Sequence, residues 1–361
     1  MKLLFCFDSM NRGGAERVIA NLSNDFIKRH EITLVATRED KSMYELNQNI
    51  KYLSLDKYQK SKNIIIKNIR RIRKLKDIIA EEKPDIMISF LPSPSYRLIV
   101  ANLFNNNKII ASIRNDPNIE YNNFFKKILA NTLYSRANGI VFQTEDAKKW
   151  FSKKIQKKST VIPNPINEKF ICKPYAGHRK KEIVNVGRLN TQKNHELLIN
   201  AFSEVSKKHN DYILKIYGDG CLKEKLKNQI NKLELEDKVF LMGMTDDVKS
   251  SIYKSSIFVL SSDYEGMPNA LMEAMALGLP CISTNCPIGG PKYLIRNKKN
   301  GILTTVNNKK ELISAINYLI EHESIRDKIG INANKICKVL NPKKINKKWE
   351  DYILKVISKE Q

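Results

Sequence analysis

The chain has 361 residues, of which 42% are hydrophobic and 28% are charged, a composition that excludes wholesale disorder. Its length predicts two domains. Lys and Arg total 63 against 38 Asp and Glu, a formal net charge of +25, which points to an acidic partner such as nucleic acid, a membrane surface or a phosphorylated substrate. A coding bias toward Lys, Ile and Asn explains the same excess, so charge alone does not select a function.

The cysteines and the apolar runs bound the class of protein. Six cysteines are present without any Cys-x-x-Cys pair, which favours free thiols in a reducing compartment over disulfides or zinc. The apolar run at 3–7 stops at Asp8, too short for a signal peptide. No run approaches the roughly 18 apolar residues of a membrane span. The sequence predicts a chain that is cytosolic or lies on a membrane without crossing it.

Apolar segments alternate with helical patterns from one end of the chain to the other. In the first half, strands are predicted at 3–7, 32–36, 85–90, 108–113 and 139–142, and helices at 14–29, 62–82, 93–104 and 120–135. In the second half, strands are predicted at 182–186, 212–217, 238–241, 257–260 and 280–284, and helices at 194–208, 221–234, 268–277, 308–321 and 324–337. This alternation predicts an α/β fold with parallel sheets covered on both faces.

The segment 163–181 interrupts the alternation with three prolines and a basic cluster and is predicted to be a linker. We therefore predict two Rossmann-like, doubly wound domains that face each other across a cleft. They span residues 1–165 and 166–342, and a C-terminal helix at 343–361 crosses back to the first domain. Ligands are expected at the carboxyl ends of the strands.

The segment 261–280 combines a helix start with two carboxylates. Pro268 suits the first helical position, and the N–H groups of Asn269 and Ala270 can then bind an anion with help from the helix dipole. Glu273 lies on the same face as Asn269, one turn further along, and is the only charge in an apolar helix. Its carboxylate needs partners when buried. Sugar or ribose hydroxyls would serve, and so would backbone groups.

Two other loops follow predicted strands. Arg188 and Lys193 lie five residues apart after the strand at 182–186. They could clamp a diphosphate or form a solvated loop. Gly13 and Gly14 lie between the first strand and the first helix, where glycines let the backbone approach a phosphate. The pattern is neither GxGxxG nor a P-loop.

Together, the Gly-Gly pair, Gly-Arg-x(4)-Lys at 187–193, Tyr-Gly-Asp-Gly at 217–220, and Glu265 and Glu273 within EGMPNALMEAMALGLP closely resemble glycosyltransferase family 4. That family has the GT-B fold, and the resemblance covers essentially the whole chain. It implies that Arg188 and Lys193 bind the donor diphosphate, that Glu265 faces the transferred sugar and that Glu273 binds the ribose hydroxyls. It also implies that Glu265, Arg188 and Lys193 are the catalytic groups and that the anomeric configuration is retained. The nucleobase pocket that it implies would be lined by the Gly-Asp-Gly loop with Gly218 and Gly220, and by Gly243 and Met244. The other donor-binding positions that it implies are Gly13, Gly14, Gly266, Met267, Asn269 and Ala270.

One loop departs from the family pattern. Many relatives have a histidine in the loop after the fourth N-terminal strand, where this chain has Arg114 in SIRNDP. A candidate acid/base group is therefore absent there. Arg114, Asn115 and Asp116 are predicted to bind acceptor phosphate or sugar, and the alternative is a structural loop capped by Asp116.

The sequence contains no Asp-x-Asp motif, and the nearest analogue, Asp263-x-Glu265, already belongs to the sugar site. Enzymes that hold a nucleoside diphosphate through a divalent cation need such a carboxylate pair. Arg188 and Lys193 can replace the cation, so we predict an enzyme that needs no metal and no cofactor.

Between Lys57 and Lys76 there are nine Lys or Arg and no acidic residue. A stripe of apolar residues recurs at helical spacing: Ile65, Ile69, Ile72, Leu75 and Ile79. Four basic residues lie off that stripe: Lys67, Arg70, Arg71 and Lys74. This pattern is typical of a basic amphipathic helix on an anionic bilayer. A solvated helix face, packed on the sheet by its isoleucines, is the alternative. Nucleic acid is disfavoured because no stacking aromatics are interleaved with the basic residues.

The sequence thus predicts a retaining glycosyltransferase on the inner face of a bacterial plasma membrane. It would transfer a hexose or N-acetylhexosamine from a nucleotide donor, preferably UDP, to a polyprenyl-diphosphate-linked glycan in capsule, exopolysaccharide or O-antigen synthesis. The alternatives are a nucleotide-sugar 2-epimerase with the same fold and a non-catalytic binding subunit.

Overall fold

The computed structural model describes residues 1–11, 13–38, 42, 44–56 and 63–358. The chain divides into two compact units. Met1–Asn164 together with Lys343–Gln361 form the first unit, and Pro165–Pro342 form the second. Within the described ranges, no helix has both the length and the apolar character needed to cross a membrane.

Each unit is built on one parallel sheet. The first sheet has seven strands in the order β3-β2-β1-β4-β5-β6-β7, and the second has six in the order β10-β9-β8-β11-β12-β13. In the first unit the strands are β1 (Lys2–Phe7), β2 (Glu31–Ala36), β3 (Lys51–Ser54), β4 (Ile86–Phe90), β5 (Lys108–Ser112), β6 (Gly139–Phe142) and β7 (Ser159–Val161). In the second unit they are β8 (Lys180–Val186), β9 (Ile213–Tyr217), β10 (Val239–Gly243), β11 (Ser255–Leu260), β12 (Cys281–Thr284) and β13 (Ile302–Thr304). The predicted pair of parallel sheets is confirmed.

Helices connect the strands and cover the sheets. They are α1 (Gly14–Phe26), α2 (Ile64–Glu82), α3 (Pro92–Ala101), α4 (Pro117–Glu120), α5 (Phe124–Tyr134), α6 (Glu145–Lys149), α7 (Lys153–Lys157), α8 (His195–Lys208), α9 (Lys223–Lys232), α10 (Val248–Ile252), α11 (Asn269–Ala276), α12 (Gly290–Leu294), α13 (Lys309–Glu321), α14 (Glu323–Asn334), α15 (Ile336–Val339) and α16 (Pro342–Ser358). Three-residue 3₁₀ turns occur at Glu168–Phe170, Thr191–Lys193 and Pro287–Gly289.

The central strands are buried on both faces, as their continuous apolar sequences require. All five residues of β4 and all six of β11 are buried. Strands β3, β7 and β13 have only three or four residues each and lie at sheet edges. None of these three strands was predicted.

The helix predicted at 120–135 is in fact two helices. Helix α4 ends at Glu120, and α5 begins at Phe124 after a new cap, because the Asn123 side chain accepts a hydrogen bond from the N–H of Lys126 (2.8 Å). Pro268 lies one residue before α11 rather than at its first position.

The last helix belongs to the first unit. Trp349 of α16 is fully buried and its ring lies 5.8 Å from that of Phe90 on β4. The Tyr352 hydroxyl accepts a hydrogen bond from the N–H of Ile140 (2.9 Å) and donates to the carbonyl of Lys158 (2.6 Å). Helix α16 therefore completes the core of the sheet formed by the N-terminal residues.

Candidate active site

The candidate active site lies at the carboxyl ends of β8 and β11, which are neighbours in the second sheet. The loops that leave these strands are joined by hydrogen bonds. The N–H of Asp263 donates to the carbonyl of Gln192 (2.9 Å), and the Gln192 side chain donates to the carbonyl of Tyr264 (3.0 Å). The hydroxyl of Ser261 donates to the carbonyl of Lys193 (2.9 Å). The two loops therefore form one structural element.

Lys193 and Glu265 form an ion pair at this junction. Lys193 Nζ lies 2.5 Å from Glu265 Oε1, and the Ser262 hydroxyl donates to the same oxygen (2.7 Å). Both charged side chains are largely removed from water, with exposed fractions of 16% for Lys193 and 7% for Glu265. A buried carboxylate needs such partners. The pair holds the Glu265 carboxylate in one position.

Asn194 links three loops of the site. Its backbone is left-handed (φ 45°), a conformation that Asn tolerates better than most residues. Its side-chain nitrogen lies 2.7 Å from Asp263 Oδ1 and 2.6 Å from Asn307 Oδ1. Its side-chain oxygen accepts from the N–H of Leu197 (3.1 Å) and so caps α8. These contacts fix the backbone immediately after Lys193.

Arg188 differs from Lys193 in its surroundings. It is exposed on the loop after β8, whereas the Lys193 side chain lies over Gly187 and reaches the buried carboxylate. The two cations predicted to act together thus occupy an exposed position and a half-buried position of the same loop.

Helix α11 begins directly behind Glu265. Its first intrahelical bond runs from the N–H of Met272 to the carbonyl of Pro268 (3.1 Å), so the backbone N–H groups before Met272 make no intrahelical bond. Such a terminus carries partial positive charge. Glu273 is buried in the second turn of α11. The structure therefore brings both predicted carboxylates, the helix start and Lys193 into one region.

Three glycines are required here by close backbone contacts. A Cβ atom on Gly218 would lie 1.9 Å from the carbonyl oxygen of Gly187, and one on Gly220 would lie 2.5 Å from that of Leu189. A Cβ atom on Gly290 would lie 1.7 Å from the carbonyl oxygen of Gly266. Packing alone explains glycine at these positions. The same packing fixes the Gly-Asp-Gly loop and Gly266 beside the ion pair.

The predicted nucleobase side lies at the end of β10. The N–H of Gly218 donates to the carbonyl of Gly243 (2.8 Å). The backbone of Gly243 is left-handed (φ 71°). Met244 follows and is strongly exposed. Met267, in contrast, is buried beside the start of α11.

The Gly-Gly pair of the first unit is held by a tyrosine. The N–H of Gly13 donates to the Tyr44 hydroxyl (3.0 Å), which in turn donates to the carbonyl of Gly13 (2.8 Å). Gly13 caps α1 and Gly14 is its first residue. The N–H of Gly13, predicted to approach a phosphate, therefore has a partner within the chain.

The predicted acceptor residues lie after β5 and have structural contacts. The Arg114 guanidinium is buried 4.7 Å from the Phe90 ring and 5.5 Å from the Trp349 ring, and donates to Asn164 Oδ1 (2.7 Å). Burial lowers the pKa of Arg114 to about 9. Nε and Nη2 of Arg114 are buried without a hydrogen-bond partner among the described residues, so these contacts account for only part of the guanidinium.

The two residues that follow Arg114 are also engaged. The Asp116 carboxylate accepts from the N–H of Asn118 (2.8 Å) and caps α4, and burial raises the pKa of this carboxyl. Asn115 donates to Glu120 Oε1 (2.8 Å). Acceptor binding by Arg114, Asn115 and Asp116 stays a prediction.

Sequence reasoning did not find Ser262 and Asn194. Ser262 is three residues before Glu265 and is recognisable only from the hydrogen bond it makes. Asn194 was placed at the start of the helix predicted at 194–208, but its contacts with Asp263 and Asn307 depend on the tertiary fold. Across the described residues, no three His, Cys, Asp or Glu side chains gather as a metal-binding group.

Comparison with known proteins identifies the family. Residues 168–336 match the family model of glycosyl transferases group 1, and residues 12–170 match that of glycosyltransferase family 4. An uncharacterized glycosyltransferase of Methanocaldococcus jannaschii is 31% identical over 347 residues, which cover 81% of this chain and 85% of that protein.

Two further similarities are of comparable extent. The N-acetylgalactosamine-N,N'-diacetylbacillosaminyl-diphospho-undecaprenol 4-alpha-N-acetylgalactosaminyltransferase of Campylobacter jejuni is 29% identical and covers 96% of this chain and 97% of its own. HepE of Anabaena, solved in complex with UDP, superposes with a TM-score of 0.84 at 18% identity over 98% of this chain and all of HepE. The expected family and fold are confirmed: the chain belongs to glycosyltransferase family 4 and has the GT-B fold.

Proposed function

We propose that this glycosyltransferase moves a hexose or N-acetylhexosamine, with retention of configuration and without a metal ion, from a UDP donor to a lipid-linked glycan acceptor. The product would be part of a bacterial capsule, exopolysaccharide or O-antigen. In this proposal Pro165–Pro342 bind the donor and Met1–Asn164 bind the acceptor, at the inner face of the plasma membrane.

The buried Lys193–Glu265 pair carries the donor part of the proposal. It lies beside the start of α11, where backbone N–H groups and the helix dipole favour an anion. A departing nucleoside diphosphate accumulates negative charge, which Lys193 and the exposed Arg188 would stabilise. Glu265, held by Ser262, would face the sugar, and Glu273 would bind the ribose hydroxyls.

We propose UDP as the donor nucleotide because relatives of this chain are described with UDP or with a UDP-sugar donor. HepE is described in complex with UDP, and an Escherichia coli relative is named for a UDP-Gal donor and a diphosphoundecaprenol-linked acceptor. The Campylobacter relative is also named for an undecaprenol-linked acceptor. A bound base would lie beside Gly218, Gly220 and Met244 in this proposal.

The described part of α2 supports a lipid-facing acceptor side. Residues 57–62 of the predicted basic segment lie outside the described residues. Ile64, Ile65, Ile66 and Ile69 are exposed, Ile64 by 71%, whereas Leu75, Ile78 and Ile79 are buried. The predicted isoleucine stripe therefore packs on the sheet only in the second half of the helix.

Two of the basic residues predicted to face the membrane have structural roles instead. Arg71 makes two hydrogen bonds to the Asp56 carboxylate (2.7 and 2.6 Å), and Lys74 donates to the carbonyl of Ser54 (2.7 Å). Arg70 and Arg73 are exposed. They are the better candidates for contact with anionic lipid.

Helix α5 offers a second apolar surface at the same edge. Phe124, Phe125, Ile128 and Leu129 are all exposed, Phe125 by 81%. Helix α2 is the first helix after β3, and α5 comes after β5 and the short helix α4. The first turns of α2 and α5 therefore lie toward the carboxyl edge of the first sheet. Ligands of such sheets bind at that edge. Apolar and basic residues at that edge suit an acceptor presented at a bilayer.

The proposal is tested with a donor screen. The full chain is incubated with UDP-, GDP- and ADP-sugars and a synthetic polyprenyl-diphosphate-linked glycan, and release of the nucleoside diphosphate is measured with and without EDTA. We expect UDP release that depends on the acceptor and survives EDTA. Loss of activity in EDTA that Mg²⁺ restores would contradict the metal-independent site.

Matched variants identify the site in the same assay. Glu265→Gln should abolish release, whereas Glu236→Gln, which neutralises an exposed carboxylate of the same unit, should not. Conversion of the sugar nucleotide to an epimer without acceptor would indicate a 2-epimerase. Donor binding with neither release nor conversion would indicate a non-catalytic subunit.

A further inference from the structure

A groove in the Pro165–Pro342 unit lies apart from the candidate active site. One wall is the segment 293–300, which comprises the end of α12 and the loop after it, and the other wall is one face of α14 and α15. The volume of the groove is about 820 Å³. That volume is within the range of small-molecule sites. The segment 295–301 enters the amino end of β13, whereas the candidate active site lies at the carboxyl ends of β8 and β11. The groove is therefore a separate feature of the unit.

The floor of the groove is aliphatic. Leu294, Ile329, Ile336 and Leu340 form its buried part. Ile325 is half-buried, and Val339 is 60% exposed at the far end. Ile325, Ile329 and Ile336 recur at the spacing of one helix face, so the apolar strip continues from α14 into α15 and opens to solvent.

The rim of the groove is positively charged. Its five cations are exposed and come from both walls: Arg296, Lys298, Lys299, Lys328 and Lys335. None of the five forms an ion pair with any residue in the described ranges, and no acidic residue lines the groove. The neighbouring Arg326 differs, because it pairs with Glu323 and Asp327. Unpaired cations around a concave surface attract an anion.

Asn332 joins the two walls, and Asn300 closes the turn within one of them. The side chain of Asn332 donates to the carbonyl of Lys299 (3.1 Å) and accepts from Lys335 Nζ (2.7 Å). Asn300 donates to the carbonyl of Leu294 (3.1 Å) and accepts from the N–H of Arg296 (2.6 Å). These bonds fix the rim, so a ligand would meet a site that is already formed.

We propose that this groove binds one anionic phospholipid, with its phosphate on the basic rim and an acyl chain on the aliphatic floor. The rim requires a negative charge and excludes a cation. A free phosphate would leave the floor in water, which apolar surface disfavours. A nucleic acid would require stacking platforms, and Tyr293 is the one aromatic residue among the lining residues. The proposal does not depend on the transfer reaction.

The test uses monomeric lipid, so that the apolar surfaces of α2 and α5 cannot dominate through adsorption to vesicles. Binding of dihexanoyl-phosphatidylglycerol below its micelle concentration is measured by calorimetry on the full chain, beside glycerol phosphate and dihexanoyl-phosphatidylcholine. A photoreactive phosphatidylglycerol analogue then locates the site by peptide mass spectrometry. We expect labelling within 293–300 or 325–340, with much weaker binding of the two control molecules.

A pair of variants with equal charge change provides the control. Lys328→Gln with Lys335→Gln should weaken binding by about tenfold or more. Lys227→Gln with Lys232→Gln removes two exposed lysines of α9 and should have no effect. Should the first variant fold poorly, as judged by its melting temperature, Val339→Asp places a negative charge on the exposed end of the floor and should abolish binding.

Three results would overturn the proposal. One is equal binding of glycerol phosphate, which would show a simple phosphate site. Another is an equal loss of binding in the two double-lysine variants, which would show non-specific attraction by charge. The third is labelling confined to residues of the first unit.

Discussion

Lys193 and Glu265 are 72 residues apart in the chain, yet Lys193 Nζ lies 2.5 Å from Glu265 Oε1. Neighbouring parallel strands make this possible, because β8 and β11 deliver their following loops to the same sheet edge. The pair is both a structural element and the centre of the proposed donor site. Variants of Arg188 and Lys193, the two cations of the proposed donor site, should therefore separate effects on stability from effects on activity.

Arg188→Ala should lower kcat without changing the melting temperature, because Arg188 is exposed and would act on charge that grows in the transition state. Lys193→Ala should lower both, because it leaves the buried Glu265 carboxylate without its cation, a loss of about 3–5 kcal/mol in the free energy of unfolding. Steady-state kinetics and thermal unfolding of both variants check this. An unchanged kcat in either variant would contradict the diphosphate role.

Gly290→Ala should destabilise the second unit and reduce activity together. A Cβ atom there would lie 1.7 Å from the backbone oxygen of Gly266, next to Glu265. One loop must therefore move, at a cost toward the upper end of the roughly 1–3 kcal/mol that overpacking incurs. Gly243→Ala is the control, since its Cβ would meet no atom within 4 Å. Its left-handed backbone costs about 1 kcal/mol. Equal melting temperatures for the two variants would show that the loop adapts freely.

His195 should make stability fall in mild acid. Burial, and then the charge of Lys193, lower the pKa of His195 to about 4. Asn185 donates through its side-chain nitrogen to the carbonyl of Val259 (2.8 Å), so its oxygen accepts from His195 Nε2 (2.9 Å). The lowered pKa keeps the ring neutral at neutral pH. Because the folded pKa lies below the unfolded value of about 6.5, this contribution is complete above pH 6.5 and declines as the pH falls toward 4.

The loss for that histidine should approach about 3 kcal/mol at pH 4. His195→Gln can still donate to Asn185 but does not titrate, so its stability should fall less between pH 6.5 and 4. Urea unfolding at several pH values measures the difference. Parallel pH profiles for the parent and the variant would show that His195 is not the responsible group.

Arg70→Gln with Arg73→Gln should weaken binding to vesicles that contain phosphatidylglycerol, by roughly tenfold at low salt. Phe124→Ser with Phe125→Ser should weaken binding even at high salt, because apolar insertion is not screened. Both double variants should still hydrolyse or transfer from the sugar nucleotide, since the proposed donor site is in the other unit. Sedimentation with vesicles at two salt concentrations checks this. Unchanged sedimentation of both variants would leave these residues as ordinary exposed side chains.

The sequence predicted the central strands well because burial on both faces demands continuous apolar runs. Strands β3, β7 and β13 escaped because edge strands of three or four residues need no such run; β7 is simply Ser159–Val161. In the candidate site, Glu265 and Lys193 were predicted from their motifs. Their direct contact, and the support from Ser262 and Asn194, depend on loops brought together only by the tertiary fold.

The return of α16 to the first sheet has a consequence for synthesis on the ribosome. Phe90 and Arg114 are covered by Trp349, which is translated only after all of Pro165–Pro342. The second unit is continuous in sequence and can complete its core during translation, whereas the first must wait with an uncovered aromatic surface until its last helix emerges. Nascent chains stalled before residue 343 should therefore depend on chaperones through their N-terminal half.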